Sequence, residues 1–226
     1  MHPRIKQFQE AEWSLRAAEE IQMAIEAVLS RQITCNVMLT GGRSAKKLYS
    51  AWADFSAFQR LREVRFYFGD ERCVPPEHSE SNYNLVMTTL FRRGVPENCS
   101  LSRIQAEDSD REAAAYRYEK ELPDNIDVLL LGVGEDGHIA SLFREENALR
   151  EKRRKVVPVF CPKEPRERIS ITPPVIAGAH SVFVLATGIE KAKILMQALQ
   201  NPTDVKSLPA RLVLHATWLF DTKINY

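Results

Sequence analysis

At 226 residues, 44% hydrophobic and 27% charged, the chain has the composition of a globular protein with material for a full core. A net charge of +1 argues against a partner recruited by bulk charge, whether nucleic acid or an acidic membrane surface. No apolar stretch reaches the roughly 18 residues that span a bilayer, and the N-terminus Met1-His-Pro-Arg-Ile-Lys-Gln has no signal-peptide core.

Residues from about Phe8 to Ser30 repeat apolar side chains at helical spacing (Leu15, Ala18, Ile21, Ile25, Val28, Leu29), with charged residues between them. Ile33 to Thr40 is β-branched and apolar enough for a strand, ended by Gly41-Gly42. Ser44 is placed to cap a following helix through Lys47, Leu48, Tyr49 and Trp52. Val64 to Phe68 predicts a second strand, followed by a long loop from Gly69 to Ser81 around Pro75-Pro76. Ser81 or Asn82 can cap a helix through Leu90, and Asp110 to Leu122 is helical by its Ala and Glu content. Val128 to Leu131 is an unbroken apolar run, the mark of a strand buried on both faces. Lys155 to Phe160 and Arg168 to Thr172 read as short strands, and Pro173-Pro174 start a helical turn. Ser181 to Ala186 is a buried strand, a helix runs from Ile189 through Leu199, and Ala216 to Phe220 is a last strand.

Strands alternating with helices predict a parallel sheet covered on both faces, in one α/β domain over residues 1–226, since no linker interrupts the pattern. Right-handed crossovers would gather five strand-end loops on one edge: Thr40–Ser44, Gly69–Ser81, Gly132–Ser141, Thr172–Ala179 and Thr187–Lys191. Cys35, Cys73, Cys99 and Cys161 are scattered, with no CxxC pair and no histidine at metal-ligand spacing. They read as free thiols in a reducing compartment, and a cytoplasmic protein without a metal is expected. The basic run Lys152 to Lys155 reads as solvated surface.

Four groups of residues are candidates for chemistry, each with a plain structural alternative. Thr40-Gly-Gly-Arg-Ser44 joins a strand to a helix; its backbone N–H groups, the helix N-terminus and Arg43 suit a phosphate, though a tight turn alone would also explain the glycines. Gly69-Asp-Glu-Arg-Cys-Val-Pro-Pro76, followed by Ser81-Asn-Tyr83, crowds Asp70 and Arg72 at a strand end; taken alone it reads first as a charged surface turn, although the proline pair suits a recognition loop held in one shape. Gly132-Val-Gly-Glu-Asp-Gly-His138 presents an imidazole on a glycine-rich loop beside Asp136, a pairing fit for proton transfer near neutral pH. Ser141 follows it without a Gly-x-Ser-x-Gly elbow, so its expected role is local capping. Arg168 and Lys191 are cations near the same edge, where a dianionic substrate could draw them together.

The order of these motifs resembles the 6-phosphogluconolactonase family, within the wider group that includes the glucosamine-6-phosphate deaminases. The carriers are Gly41-Gly42, Asp70-Glu-Arg-Cys-Val-Pro75 with Ser81-Asn-Tyr83, and Leu131-Gly-Val-Gly-Glu-Asp-Gly-His-Ile-Ala-Ser-Leu-Phe143. Arg168-Ile-Ser-Ile-Thr172, Gly188 with Lys191, Leu208-Pro-Ala210 and Thr217-Trp218 extend the likeness over about residues 37–221. The deaminases carry an Asp-Glu-Tyr type motif where this chain has Asp70-Glu71-Arg72. The chain departs from the family's Gly-Gly-Ser-Thr-Pro at Arg43-Ser-Ala45, and has Arg144 where a proline is common.

The resemblance implies a three-layer α/β/α sandwich with a mainly parallel, Rossmann-like sheet. It implies hydrolysis of 6-phospho-D-glucono-1,5-lactone, a sugar-phosphate lactone, in the pentose phosphate pathway. No cofactor is expected, because a lactone is already an activated ester. In that reading His138 activates water, Asp136 or Asp70 orients the His138 ring, and Arg72 stabilises the oxyanion or the sugar. Gly41, Gly42, Arg43, Ser44, Arg168 and Lys191 hold the phosphate. The competing readings are a glucosamine-6-phosphate deaminase or isomerase and a non-catalytic sugar-phosphate sensor. A monomer or weak dimer is expected, with neither nucleic acid nor membrane as partner.

Overall fold

The computed structural model describes residues 2–224. A seven-stranded parallel sheet contains β1 (Arg4–Gln7), β2 (Cys35–Leu39), β3 (Val64–Phe68), β5 (Ser100–Leu101), β6 (Val128–Gly132), β9 (Ser181–Ala186) and β10 (Thr217–Phe220), in the order β1-β10-β9-β6-β2-β3-β5. A second, three-stranded antiparallel sheet is built from β4 (Asp70–Arg72), β8 (Glu167–Ile171) and β7 (Val156–Phe160), with β8 central.

The sheet begins from its middle. All four side chains of Val128 to Leu131 are fully buried, which is why this stretch shows no alternation. Each such burial contributes roughly 1.5–3 kcal/mol before conformational entropy is counted. From β2 the chain winds outward through β3 to β5; from β6 it winds the other way through β9 to β10. Right-handed crossovers then place the connecting helices on opposite faces. On one face lie α1 (Trp13–Leu29), α2 (Arg43–Trp52), the single turn α3 (Ser56–Gln59) and α4 (Asn82–Thr89). On the other lie α5 (Arg111–Glu121), α6 (Pro173–Gly178) and α7 (Ile189–Gln200), with 3-10 turns at Asn147–Arg150 and Pro209–Val213. This is the expected three-layer α/β/α architecture.

Several boundaries differ from the sequence expectation. The first helix starts at Trp13, not near Phe8, because Arg4 to Gln7 pair with β10 as an edge strand. Leu15 faces solvent at 47% exposure, while Trp13, Ala17, Ala18, Ile21 and Ile25 make the buried stripe. Ser44 does not cap α2: the N-cap is Gly42, and no side chain caps this helix. The Gly69–Ser81 stretch is not all loop, since Asp70 to Arg72 form β4. β7 and β8 do not join the parallel sheet, and the antiparallel course of β8 keeps the Thr172–Ala179 segment off the functional edge. Thr172 is fully buried there, its hydroxyl bonded to the carbonyls of Arg154 and Lys155.

The strand order reverses between β2 and β6. At such a point two loops diverge from the carboxyl ends of neighbouring strands and leave a crevice. The loops are Thr40–Gly42 and Val133–His138, tied where the Gly132 N–H donates to the Thr40 hydroxyl at 3.3 Å.

Candidate active site

A cleft of about 850 Å³ opens at this switch point. Thr40 to Ser44, Asp70, Arg72, Asn82, Gly132 to Glu135 and His138 line it, as do Lys163, Arg168 and the start of α7 through Lys191. Four of the five strand-end loops expected on this edge meet here.

The imidazole is held by a carboxylate and an aromatic ring. His138 Nδ1 lies 2.6 Å from Asp136 Oδ1, and the ring stacks on Phe143 with centroids 4.3 Å apart at 22°. The loop closes on itself through a 2.8 Å bond from the Gly134 N–H to the His138 carbonyl. With Nδ1 donating to the carboxylate, Nε2 is the nitrogen left to exchange a proton with a ligand. Asp136 Oδ2 also pairs with Lys163 Nζ at 3.0 Å. Partial burial alone would raise the Asp136 carboxyl, but the hydrogen bond and charge of His138, joined by Lys163, hold it well below the usual carboxylate range. Glycine is required at 134 because a Cβ there would sit 2.0 Å from His138 Nδ1 and 2.3 Å from Asp136 Oδ1. Gly134→Ala is expected to break this pair and lower kcat by at least about tenfold, with the fold retained by circular dichroism.

Asp70, the other carboxylate considered as the partner of His138, is engaged elsewhere. It is buried at 5% exposure and accepts from the Ser141 hydroxyl at 2.7 Å and from Asn82 Nδ2 at 3.2 Å. Ser141 is therefore an anchor for Asp70 and not a helix cap. Asn82 also explains Gly41: a Cβ at that position would lie 1.8 Å from Asn82 Oδ1.

Three of the cations expected here lack an adequate counter-charge. Arg72 and Arg168 stand directly opposite each other on the β4–β8 ladder, a placement that is unfavourable for like charges. Arg168 is buried at 5% exposure, with its Nε on the Pro165 carbonyl and its guanidinium over the Phe143 ring, and no carboxylate lies within ion-pair distance among the described residues. Arg72 reaches the Glu80 carbonyl at 2.5 Å and its carboxylate only at 3.5 Å, and its buried Nε has no partner. Lys191, in the first turn of α7, is half-buried and has no acid within ion-pair distance among the described residues. Burial lowers its pKa, against the opposing pull of Glu135. A buried cation without a partner is costly, so this arrangement calls for an anionic ligand.

Arg43 differs from these three. Its side chain is 90% exposed and its guanidinium pairs with Glu135 at 2.9 Å. Ser44 turns to Thr187, with the hydroxyls 2.6 Å apart, and so links the starts of α2 and α7. Both helices have a glycine N-cap with positive φ and no side-chain cap, leaving their first N–H groups toward the cleft. The Gly188 N–H is the exception, donating to Asp221 at 2.7 Å.

Sequence reasoning did not single out Lys163, Thr187 or Glu135 for a role. Lys163 sits on an irregular loop, and only the tertiary fold brings it to Asp136. Thr187 had a signal, being the residue between a buried strand and a glycine-started helix. Among the described residues no group of three or more His, Cys, Asp or Glu side chains could hold a metal ion.

A crevice at a sheet's switch point, with uncompensated cations and an oriented imidazole, defines a protein that binds a small anionic molecule and can move protons on it. The chain belongs to the family described as glucosamine-6-phosphate isomerases/6-phosphogluconolactonase, matching it over residues 9–220. It is 36% identical to a 6-phosphogluconolactonase of Streptomyces coelicolor, over 91% of this chain and 86% of that one. Its fold superposes on 6-phosphogluconolactonase from Trypanosoma cruzi with a TM-score of 0.83 at 30% identity, covering 97% and 95% of the two chains. A 6-phosphogluconolactonase from Shewanella baltica shares the fold at a TM-score of 0.86, 23% identity and 97% coverage of both chains.

Proposed function

We propose that the protein hydrolyses 6-phospho-D-glucono-1,5-lactone to 6-phosphogluconate, as the names of its relatives indicate for them, and that it is a pentose phosphate pathway enzyme. The observation that carries this reading is the Asp136–His138 pair facing a cleft that also holds Arg168 and Lys191 without carboxylate partners.

In the proposed mechanism His138 Nε2 takes a proton from water as the water oxygen bonds to the lactone carbonyl carbon. Asp136 holds the Nδ1 proton in place and stabilises the imidazolium. The negative charge that develops on the carbonyl oxygen faces Arg72. Collapse of the tetrahedral intermediate breaks the bond from the carbonyl carbon to the ring oxygen, and His138 returns the proton to that oxygen. The products are a carboxylate and a free hydroxyl. Arg168, Lys191 and the N–H groups at the starts of α2 and α7 hold the phosphate. Besides the substrate and one water, these steps use only groups of the chain. One hydrophobic core joins residues from Trp13 to Ile224, which supports reading the chain as one catalytic domain. Four free cysteines support a reducing, cytoplasmic setting.

The test is a coupled assay with freshly prepared 6-phosphogluconolactone, followed against its spontaneous hydrolysis. Enzyme-dependent acceleration is expected. Ammonia release from glucosamine 6-phosphate in its place would overturn the reading. Lys191→Ala is expected to raise KM by about ten- to a hundredfold with a smaller change in kcat, the mark of lost ground-state binding. An unchanged KM would remove Lys191 from the phosphate site.

A further inference from the structure

The exposed Arg43–Glu135 pair serves no evident structural purpose. It joins the start of α2 to the loop after β6 at the cleft, with side chains 90% and 62% exposed, and such pairs add little to stability. Arg43 opens α2, where a cation opposes the helix macrodipole. A residue that breaks a local rule at a cleft edge points to a role in binding.

Glu135 occupies an informative position. It pairs with Arg43, and it is the acid that most favours the charged form of the half-buried Lys191. Its carboxylate thus sits among cations at the start of α2, where the phosphate of the proposed substrate would also go. We propose that Glu135 is an internal competitor for that phosphate, a specificity-determining residue that partners Arg43 until a dianion displaces it. This inference rests on the proposed phosphate site and adds Arg43 to the groups that hold the phosphate there. Substrate binding exchanges one anion for another at Arg43: the Glu135 carboxylate swings to solvent and the phosphate takes the guanidinium. A dianion with several acceptor oxygens outbids one carboxylate, whereas an unphosphorylated lactone leaves the pair closed. The device raises KM for every phosphorylated ligand and disfavours singly charged anions most.

The test combines binding and kinetics on Glu135→Gln. Calorimetric titration with inorganic phosphate is expected to give a Kd about two- to fivefold lower than wild type, the scale of one exposed ion pair. Adding Arg43→Met to Glu135→Gln should abolish that gain. KM for the phosphorylated lactone should fall by a similar factor with kcat unchanged, and the KM for unphosphorylated gluconolactone should not move. The opposite sign, weaker phosphate binding in Glu135→Gln, would show that Glu135 instead holds Arg43 ready for the ligand, and would overturn the proposal. So would an unchanged Kd. The phosphate titration needs no turnover, so absence of lactonase activity would refute the proposed reaction while this result still decided the role of Glu135.

Discussion

Replacing His138 by alanine is expected to lower kcat for 6-phosphogluconolactone by about a hundred- to ten-thousandfold, the range for losing a positioned general base. KM should change little, because the ring contributes through proton transfer in the transition state and the phosphate is held by other groups. Spontaneous hydrolysis sets the floor, so the measurement is the difference between enzyme and buffer at matched pH. Near-wild-type turnover with the fold intact would remove His138 from the base role. The substitution has a second, independent readout. His138 and Lys163 together depress the Asp136 carboxyl. A depressed carboxylate contributes stability above its unfolded pKa, and that contribution is lost as pH falls through the folded value. Without His138 the Asp136 carboxyl titrates closer to its ordinary range. The loss of stability on acidification attributable to this pair should therefore shrink in His138→Ala. Urea unfolding at several pH values would detect the change.

The contrast between Asp136 and Asp70 shows what the sequence could and could not reveal. Asp136 lies two residues from His138 on one tight loop, so their contact is a local property and was visible in the glycine spacing. The bond between Asp70 and Ser141 joins positions far apart in the chain, brought together only when β4 pairs with β8 beside the β6 loop. Strands buried on both faces, such as Val182 to Ala186 and Val128 to Leu131, were legible because burial demands continuous apolar character. The edge strand β1 and the short β4 were not. Arg4 to Gln7 is charged and has one neighbour, while Asp70 to Arg72 is polar and takes its conformation from β8. Neither carries a pattern of period two that could be recognised. Arg43 shows a further limit. The Gly41-Gly42-Arg43-Ser44 motif put it at the phosphate turn, but its partner in the structure comes from a loop that approaches from another strand.

Glu71→Ala is expected to destabilise the protein by about 3–5 kcal/mol, although Glu71 takes no part in the proposed chemistry. Its carboxylate is 4% exposed and accepts four hydrogen bonds. Oε1 takes the N–H groups of Arg72 at 2.7 Å and Asn82 at 2.8 Å, and Oε2 takes the Tyr83 N–H at 2.8 Å and the Ser81 hydroxyl at 3.1 Å. One side chain thus closes the loop between β4 and α4 and satisfies the first N–H groups of that helix. Alanine leaves these donors buried without acceptors, and each kcal/mol lost should lower Tm by about 2–4 °C in a protein of this size. The effect should reach the cleft: Asn82 donates to the Asp70 carbonyl at 2.9 Å, and Arg72 adjoins the lost acceptor, so KM should rise even where the variant is folded. Glu71→Gln should cost less, since its remaining oxygen can serve one side of the loop, but its amide group cannot accept from Tyr83. Burial pushes the Glu71 carboxyl up despite the three backbone donors. A carboxyl raised by folding contributes stability at low pH that is lost as pH rises through its folded value. The stability gap between wild type and Glu71→Gln should accordingly narrow as pH rises through that range. A Glu71→Ala variant that unfolds at the wild-type temperature would show that the loop and the α4 start find other acceptors.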